Sequence, residues 1–499
     1  MRKIQWFRFL FAAGIALSTT VGSGCSASHD GAQSASASDG GKIPITTRSE
    51  DARKEFLEGR ALADKLLAQD SLQHFDKAIS LDPEFASAEL ARANASPTAK
   101  DFFDHLNKAV NLADKASEGE RLLILANQAG ANADAIRQEE LLQKLVAAFP
   151  NDERAHFTLG GYYFGQQDLP EAIAHYKTAT ELSPSYSTAY NLLGYAYRQQ
   201  GDYTNAEQAF KKYVGLIPDD PNPYDSYAEL LLKMGRYDDS IAQYRKALAI
   251  DPHFFASHFG IAADLMYQGK AGEAAAELQK ITENARNDGE RRTAMFGETV
   301  VAADAGQFPK ALKDMDDQYA LGAKANDVAA MAADLQAKGN IFAEMQKYDD
   351  AKQQFDRLLQ ITETSTLSQE IKDNAKRFHH YNLTVVAIGK RDFGTAKSES
   401  DQFREAAEES RNPIQIKLAH ELAGRIALAR KDFDGTITEL QQANQQDPQN
   451  LYRLCQAYQG KGDTVKAHEF CGNAAGFNSL PQLNYAFVRA KAQKMAGKA

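Results

Sequence analysis

The stretch "NLLGYAYRQQGDYTNAEQAFKKYVGLIP", residues 191–218, decides the fold. Apolar residues recur every three or four positions on both sides of a Gly-Asp pair, which is the period of two amphipathic helices joined by a turn. Gly194 and Ala206 are small, so the two helices can approach closely. Leu193, Tyr197 and Phe210 fill the space between neighbouring pairs. Gly201 ends the first helix in a left-handed conformation and Asp202 caps the second. Pro218 cannot continue the second helix, so the chain must break there.

The same phrase recurs along the chain. Prolines stand at 150, 184, 218 and 252, each 34 residues after the last. The unit before the quoted one carries Leu159, Gly160, Tyr163, Ala172, Tyr176 and Ala179 at matching places. The unit after it carries Tyr224, Tyr227, Ala228, Tyr237, Ser240, Tyr244 and Ala247. Weaker copies run from "HFDKAISLDPEFASA" (74–88) to "GKGDTVKAHEFCGNAA" (460–475), about twelve helical hairpins in all. No hairpin can bury its apolar face alone, so neighbours must stack.

This pattern resembles the tetratricopeptide repeat, a helix-turn-helix of 34 residues. The resemblance is most specific over 150–285 and covers nearly all of residues 50–495. It implies an all-α fold: a right-handed superhelical solenoid of tetratricopeptide-like helical hairpins with a C-terminal capping helix. "LNYAFVRAKAQKM" (483–495) reads as that helix, with Leu483, Phe487 and Val488 on its inner side. Polar seams at 322–328 and 362–369 interrupt the array. The first sets the expected division into an N-terminal block, 49–320, and a C-terminal block, 328–496.

Composition narrows the class. Of the 499 residues 43 % are apolar and 25 % charged, as in an ordinary folded protein. The formal net charge is -10 and no Lys/Arg cluster stands out, so the basic footprint of a nucleic-acid binder is missing. The start of the chain differs from the rest. Arg2, Lys3 and Arg8 precede an apolar run from Phe9 to Leu17, and small residues lead to Cys25. That is the layout of a secretory signal, too short for an ordinary membrane span. Residues 1–24 are therefore expected as a signal peptide. The segment also resembles a bacterial lipobox, with Gly24 before Cys25, although Gly22 stands where the family carries a branched apolar residue. The resemblance implies lipidation of Cys25 and an outer-membrane lipoprotein facing the periplasm. A plain signal peptide would instead give a periplasmic or secreted protein. The Ser/Ala/Gly-rich run after Cys25 reads as a disordered tether, placed at 25–48.

No catalytic, cofactor-binding or metal-binding constellation rises above background. P-loop, HExxH and GxSxG motifs are absent, and "GGYYFG" lacks the context of a dinucleotide-binding loop. His379 and His380 are adjacent, so on a helix they point in different directions. Cys455 and Cys471 align to the facing positions of one hairpin. They are either two buried small hydrophobes or a disulfide that an exported compartment would permit.

What remains is the groove that stacked hairpins form, lined mainly by the first helix of each pair. By the resemblance, its lining residues are Arg154, Phe157, Gly161, Phe164, Asn191, Tyr195 and Arg198. Asp225, Glu229, Lys233, Phe259, Ala263 and Tyr267 continue the row. Aromatic rings mixed with polar groups suit an extended peptide. Neither the carboxylate clamp of chaperone-binding repeats nor the asparagine ladder of peptide-scanning repeats is present at the matching places. The expected function is a non-enzymatic scaffold of the bacterial envelope that binds a protein or extended peptide, touching the membrane through its lipid anchor only. An accessory subunit of a complex that makes, exports or assembles an envelope polymer is the alternative.

Overall fold

A computed structural model of the chain describes residues 41–497 apart from 66, 97, 98, 133, 286 and 287. The described residues form helices and turns with no strand. Twelve consecutive helix pairs can be followed, from Glu50–Asp64 with Ala68–Leu81 to Pro448–Lys461 with Thr464–Ala475. This is the all-α solenoid of tandem hairpins that the sequence pattern implies. The chain falls into two compact units, one through Pro223 and one from Tyr224 onward.

The hairpin turn has a common chemistry. Gly201 lies at φ 88°, and the Asp202 side chain accepts from the Asn205 amide at the start of the next helix. Gly462 and Asp463 repeat this arrangement. Other turns place a larger residue at the left-handed position before the capping aspartate: Gln167, Asn326, Arg391 and Lys431 all have positive φ. Such residues carry a backbone cost of about 1 kcal/mol that glycine avoids. The turn geometry is therefore imposed by packing on both sides. Gly194 lies so close to Phe210 that an added Cβ would sit 2.8 Å from its ring. Phe210, Ala206, Tyr176 and Tyr244 are all fully buried, as interior positions of a repeat should be. Pro150, Pro184, Pro218 and Pro252 each fall in the turn between hairpins.

The polar stretches 322–328 and 362–369 cover the turns between long helices and the helix ends beside them. Phe308–Lys324 leads to Val328–Glu344, and Tyr348–Glu363 leads to Gln369–Gly389. Two expectations need correction. The end of the chain is not one capping helix but two short ones, Leu483–Ala486 and Arg489–Met495, with Phe487 and Val488 at the break. Both break residues are buried, so the bend lets successive apolar side chains reach the core. The tether expected through residue 48 is also shorter at its C-terminal end. Residues 42–48 are extended but pinned to the repeats, because single capping carboxylates bind their backbone amides. The rest of the expected tether, Cys25 and the signal segment lie outside the described residues. Within the described residues no helix is long and apolar enough to cross a membrane.

Candidate functional site

In each unit a non-repeat piece of the chain's own backbone lies on the repeats, and side chains hold it there. In the N-terminal unit this piece is Lys42–Arg48. The Ile43 amide donates to Asp152 Oδ2 at 2.8 Å, and the Thr46 amide donates to Glu120 Oε1 at 3.0 Å. The Thr47 hydroxyl and the Arg48 amide both donate to Asp82 Oδ2, at 2.6 and 3.1 Å. Lys42 pairs with Glu153. Each of the three acceptors belongs to a turn that begins a new hairpin. Asp152 Oδ1 receives the Arg154 and Ala155 amides, and Asp82 Oδ1 receives the Glu84 amide. Glu120 closes a capping box with Ser117. One oxygen of each carboxylate thus serves its own turn and the other faces the strap.

The expected groove residues of the same unit come together only in part. Arg154 pairs with Asp64, at 3.2 Å for one nitrogen–oxygen contact, and lies 4.9 Å over the Tyr186 ring. Phe157 packs against Tyr186 and Tyr176, with centroids 5.1 and 5.9 Å away. Phe164 is half-buried beside Tyr176. Arg198 covers the Tyr195 ring at 4.7 Å, and Tyr195 meets Phe210 edge-on. Asn191 is buried, and its Oδ1 has no donor among the described residues. The end of the first helix, at Asp64, therefore already occupies the inner face beside Arg154, and its carbonyl also accepts from the Thr188 hydroxyl. Gly161, Phe164 and Arg198 keep partial exposure.

In the C-terminal unit the occupant is the segment 477–489. Lys233 donates to the Phe477 carbonyl and lies 3.7 Å from the centroid of the Phe477 ring. The Tyr237 hydroxyl donates to Asn478 Oδ1 at 3.0 Å, and the Tyr267 hydroxyl donates to the Ser479 carbonyl. Tyr485 meets Tyr267 and Phe477 edge-on, at 5.4 and 5.7 Å. Arg489 pairs with Asp304, with one nitrogen–oxygen distance of 2.7 Å. Of the expected groove residues here, Lys233 is half-buried and the others are buried. Asp225 accepts from the Ser257 hydroxyl at 3.0 Å, which ties adjacent inner helices together. Phe259 packs against Gly297, and Glu229, Ala263 and Tyr267 are buried with it. Sequence reasoning placed these residues on the inner helices and turned Leu483, Phe487 and Val488 inward, but missed the contact of Tyr237 and the part that residues 477–482 and Tyr485 play against them. The signal for the segment was its apolar content, with Phe477, Leu483, Tyr485, Phe487 and Val488 close together.

Several histidines elsewhere join the two helices of a hairpin through a carboxylate. His420 Nδ1 lies 2.7 Å from Glu439, and His380 Nδ1 lies 2.6 Å from Glu399. His379 instead faces Asp356 at 3.4 Å, and burial pulls its imidazole below the ordinary value. The adjacent pair therefore diverges. Glu55, Glu58 and His74 bring three potential ligand atoms within 4.8 Å of one another. Their closest contact, His74 to Glu55 at 2.8 Å, repeats the histidine–carboxylate bridge of the other hairpins. Cys455 and Cys471 are joined in a disulfide inside the last hairpin. Asp264 is fully buried on the helix Phe255–Tyr267. Its neighbour Ser240 donates to the Ala228 carbonyl at 2.9 Å, which leaves both Asp264 oxygens without a donor among the described residues. Burial pushes its carboxyl up to about 8.

Comparison with known proteins agrees with this geometry. Family profiles described as tetratricopeptide repeat match residues 128–187, 158–221 and 231–295. A TPR repeat-containing protein of Pseudomonas aeruginosa is 33 % identical over 73 residues, which are 15 % of this chain and 70 % of that protein. Superkiller protein 3 of Schizosaccharomyces pombe is 27 % identical over 194 residues, 36 % of this chain. The match spans only 14 % of that protein's length. A solved tetratricopeptide repeat protein from Parabacteroides merdae aligns over 52 % of this chain and 98 % of its own, at 16 % identity and a TM-score of 0.37. With the hairpin periodicity, the glycine–aspartate turns, the family profiles and the Pseudomonas relative in hand, the chain is a member of the tetratricopeptide repeat family.

Proposed function

We propose that this chain is a non-enzymatic scaffold of the bacterial cell envelope that binds a protein partner or an extended peptide through the inner helices of its repeats. One observation carries the reading. Side chains of three helices, through Lys233, Tyr237 and Tyr267, already hold the non-helical segment 477–479, which turns at Asn478, by its carbonyls and one side-chain amide. Recognition of backbone by convergent polar side chains, with aromatic rings beside it, is the chemistry that peptide binding needs. The half-exposed Phe164 and Arg198 offer the same combination in the N-terminal unit. Protein binding is also the general role of the family.

The envelope assignment rests on the basic-then-apolar start and on Cys25. The Cys455–Cys471 disulfide supports it, because such bonds persist in oxidising, exported compartments. Incorporation of a palmitate analogue by the wild type but not by Cys25→Ser tests the anchor. The binding reading is tested by cross-linked capture from membranes with the full-length protein, read by mass spectrometry. A Phe164→Ala/Arg198→Glu variant with unchanged helical content should lose the captured partner. Undiminished capture would overturn the inner-helix reading. Recovery of one enzyme subunit in fixed ratio would make the chain an accessory subunit.

A further inference from the structure

The strap Lys42–Arg48 has the side-chain alternation of a docked strand. Ile43, Ile45 and Thr47 are half-buried, whereas Pro44, Thr46 and Arg48 are exposed. A period of two is expected when one face of an extended chain rests on a surface. The inward side chains meet different hairpins. Ile45 packs on the apolar cluster around Phe56, Phe75 and Phe85. Ile43 packs on the cluster around Leu122, Leu142 and Leu159, close to Gly119 and Phe149. An added Cβ on Gly119 would sit 2.9 Å from Ile43, so the absence of a side chain there makes room for the strap.

The polar contacts follow the same repeat logic. Asp82, Glu120 and Asp152 each stand where the chain enters a hairpin, and each offers an outward oxygen. Together they accept backbone amides 48, 46 and 43 in order. Glu153 closes the row against the Lys42 ammonium. Nothing in these backbone contacts requires the peptide to belong to this chain. The strap buries little of itself, in contrast to the aromatic segment 477–489.

We propose that the row Asp82–Glu120–Asp152–Glu153 is a docking track for an extended, basic-ended peptide of a partner protein, occupied in the free protein by residues 42–48. The partner peptide is a lysine or arginine followed by Ile-x-Ile-x-Thr or a close aliphatic equivalent, without net negative charge. This deepens the peptide-binding reading above and rests on it. It adds a second contact, on the edge where hairpins begin, to the one on the inner helices. The strap also sets a threshold. A segment tethered next to its own site has an effective concentration in the millimolar range, so a partner must outcompete that.

The test uses full-length protein and a fluorescein-labelled peptide of sequence GKIPITTRS. An Ile43→Asp/Ile45→Asp variant loosens the strap and leaves the four track carboxylates intact. It should bind the peptide at least tenfold more tightly than wild type. Adding Asp82→Asn and Asp152→Asn should return binding to the wild-type level or below. On wild-type protein, excess unlabelled peptide should speed hydrogen exchange at the native amides 43, 46 and 48 by about tenfold and leave core helices unchanged. The proposal is overturned if the loosened variant binds no better, if the added Asn substitutions have no effect, or if exchange at those amides does not respond. Failure there, with partner capture still lost in Phe164→Ala/Arg198→Glu, would remove the track and leave the inner-helix reading standing. Peptide binding with capture intact in that variant would do the reverse.

Discussion

The strap at residues 42–48 and the segment 477–489 do the same geometric job with opposite chemistry. Both are non-repeat backbone laid on helical hairpins. The strap is held by polar contacts, chiefly carboxylates that take its amides and its own Lys42, with Arg53 and Ser117 donating to its carbonyls, and half of its side chains face outward. The C-terminal segment is held by rings: Phe477, Tyr485 and Phe487 are all nearly inaccessible and join an apolar cluster with Phe259, Met266, Tyr267 and Leu278. Buried apolar area is the dominant stabilising term, whereas exposed hydrogen bonds and ion pairs exchange with water at small net gain. The C-terminal segment is therefore part of the core. The strap is a reversible contact.

The largest effect should come from Tyr485. Its ring touches Tyr267 and Phe477, and its hydroxyl donates to the Ala475 carbonyl at 2.6 Å. Tyr485→Ala removes a fully buried aromatic side chain and should destabilise the C-terminal unit by about 3–5 kcal/mol, the range for large-to-small core changes. Urea unfolding followed by circular dichroism reads this out. A loss under about 1 kcal/mol would mean that the segment is as lightly held as the strap, and the contrast drawn above would collapse.

These two segments also mark where the sequence stops being readable. The hairpins were legible because their signal is local and repeated. Gly194 against Phe210 and the Gly201–Asp202 turn lie within one unit of sequence, and the 34-residue spacing of the prolines multiplies them. The inner helices were legible for the same reason, so Phe157, Tyr195 and Tyr267 could be placed on them. What lies against those helices was not legible. Tyr267 meets Ser479 and Tyr485, more than two hundred residues away, and no period links them. Arg154 meets Asp64 in the same non-local way. The strap has no helical period, and its partners are single oxygens of carboxylates that already had a role as caps. A capping aspartate announces its turn in sequence but not its second acceptor.

Asp264 sharpens the comparison from below the C-terminal segment. Its field acts on Tyr237, whose hydroxyl holds Asn478. Burial lifts its carboxyl from an ordinary 3.8 to about 8 in the folded state. The fold therefore keeps a proton that the unfolded chain releases. This contribution is fully present below about pH 4 and is lost as pH rises through about 8. Asp264→Asn keeps the neutral shape and should flatten that decline by on the order of 2–4 kcal/mol between pH 4 and 8. Urea midpoints of the C-terminal unit at several pH values measure it. Parallel pH profiles for wild type and variant would show that Asp264 is ionised in the fold.

The strap should respond to acid in the opposite sense and more weakly. Desolvation alone would raise the Asp82 carboxyl, but the Thr47 hydroxyl, the Arg48 amide and the Glu84 amide outweigh it and hold it below the ordinary value. Glu153 is likewise partly desolvated yet drawn down by Lys42. For groups lowered in this way the stabilisation exists above the ordinary carboxylate value and disappears as pH falls through the folded one. The Arg48 amide, which Asp82 holds, should therefore lose protection from hydrogen exchange as pH falls below the ordinary carboxylate range, while the C-terminal segment stays protected. Asp82→Asn at neutral pH should cost the strap about 1 kcal/mol, read as a roughly fivefold loss of protection at Arg48. Raising salt should weaken Lys42–Glu153 in the same direction, because the pair is partly exposed and screened. If the strap amides and the amides of 483–489 opened together under acid, salt or Asp82→Asn, the two segments would belong to one cooperative unit and the strap could not yield its track to a partner.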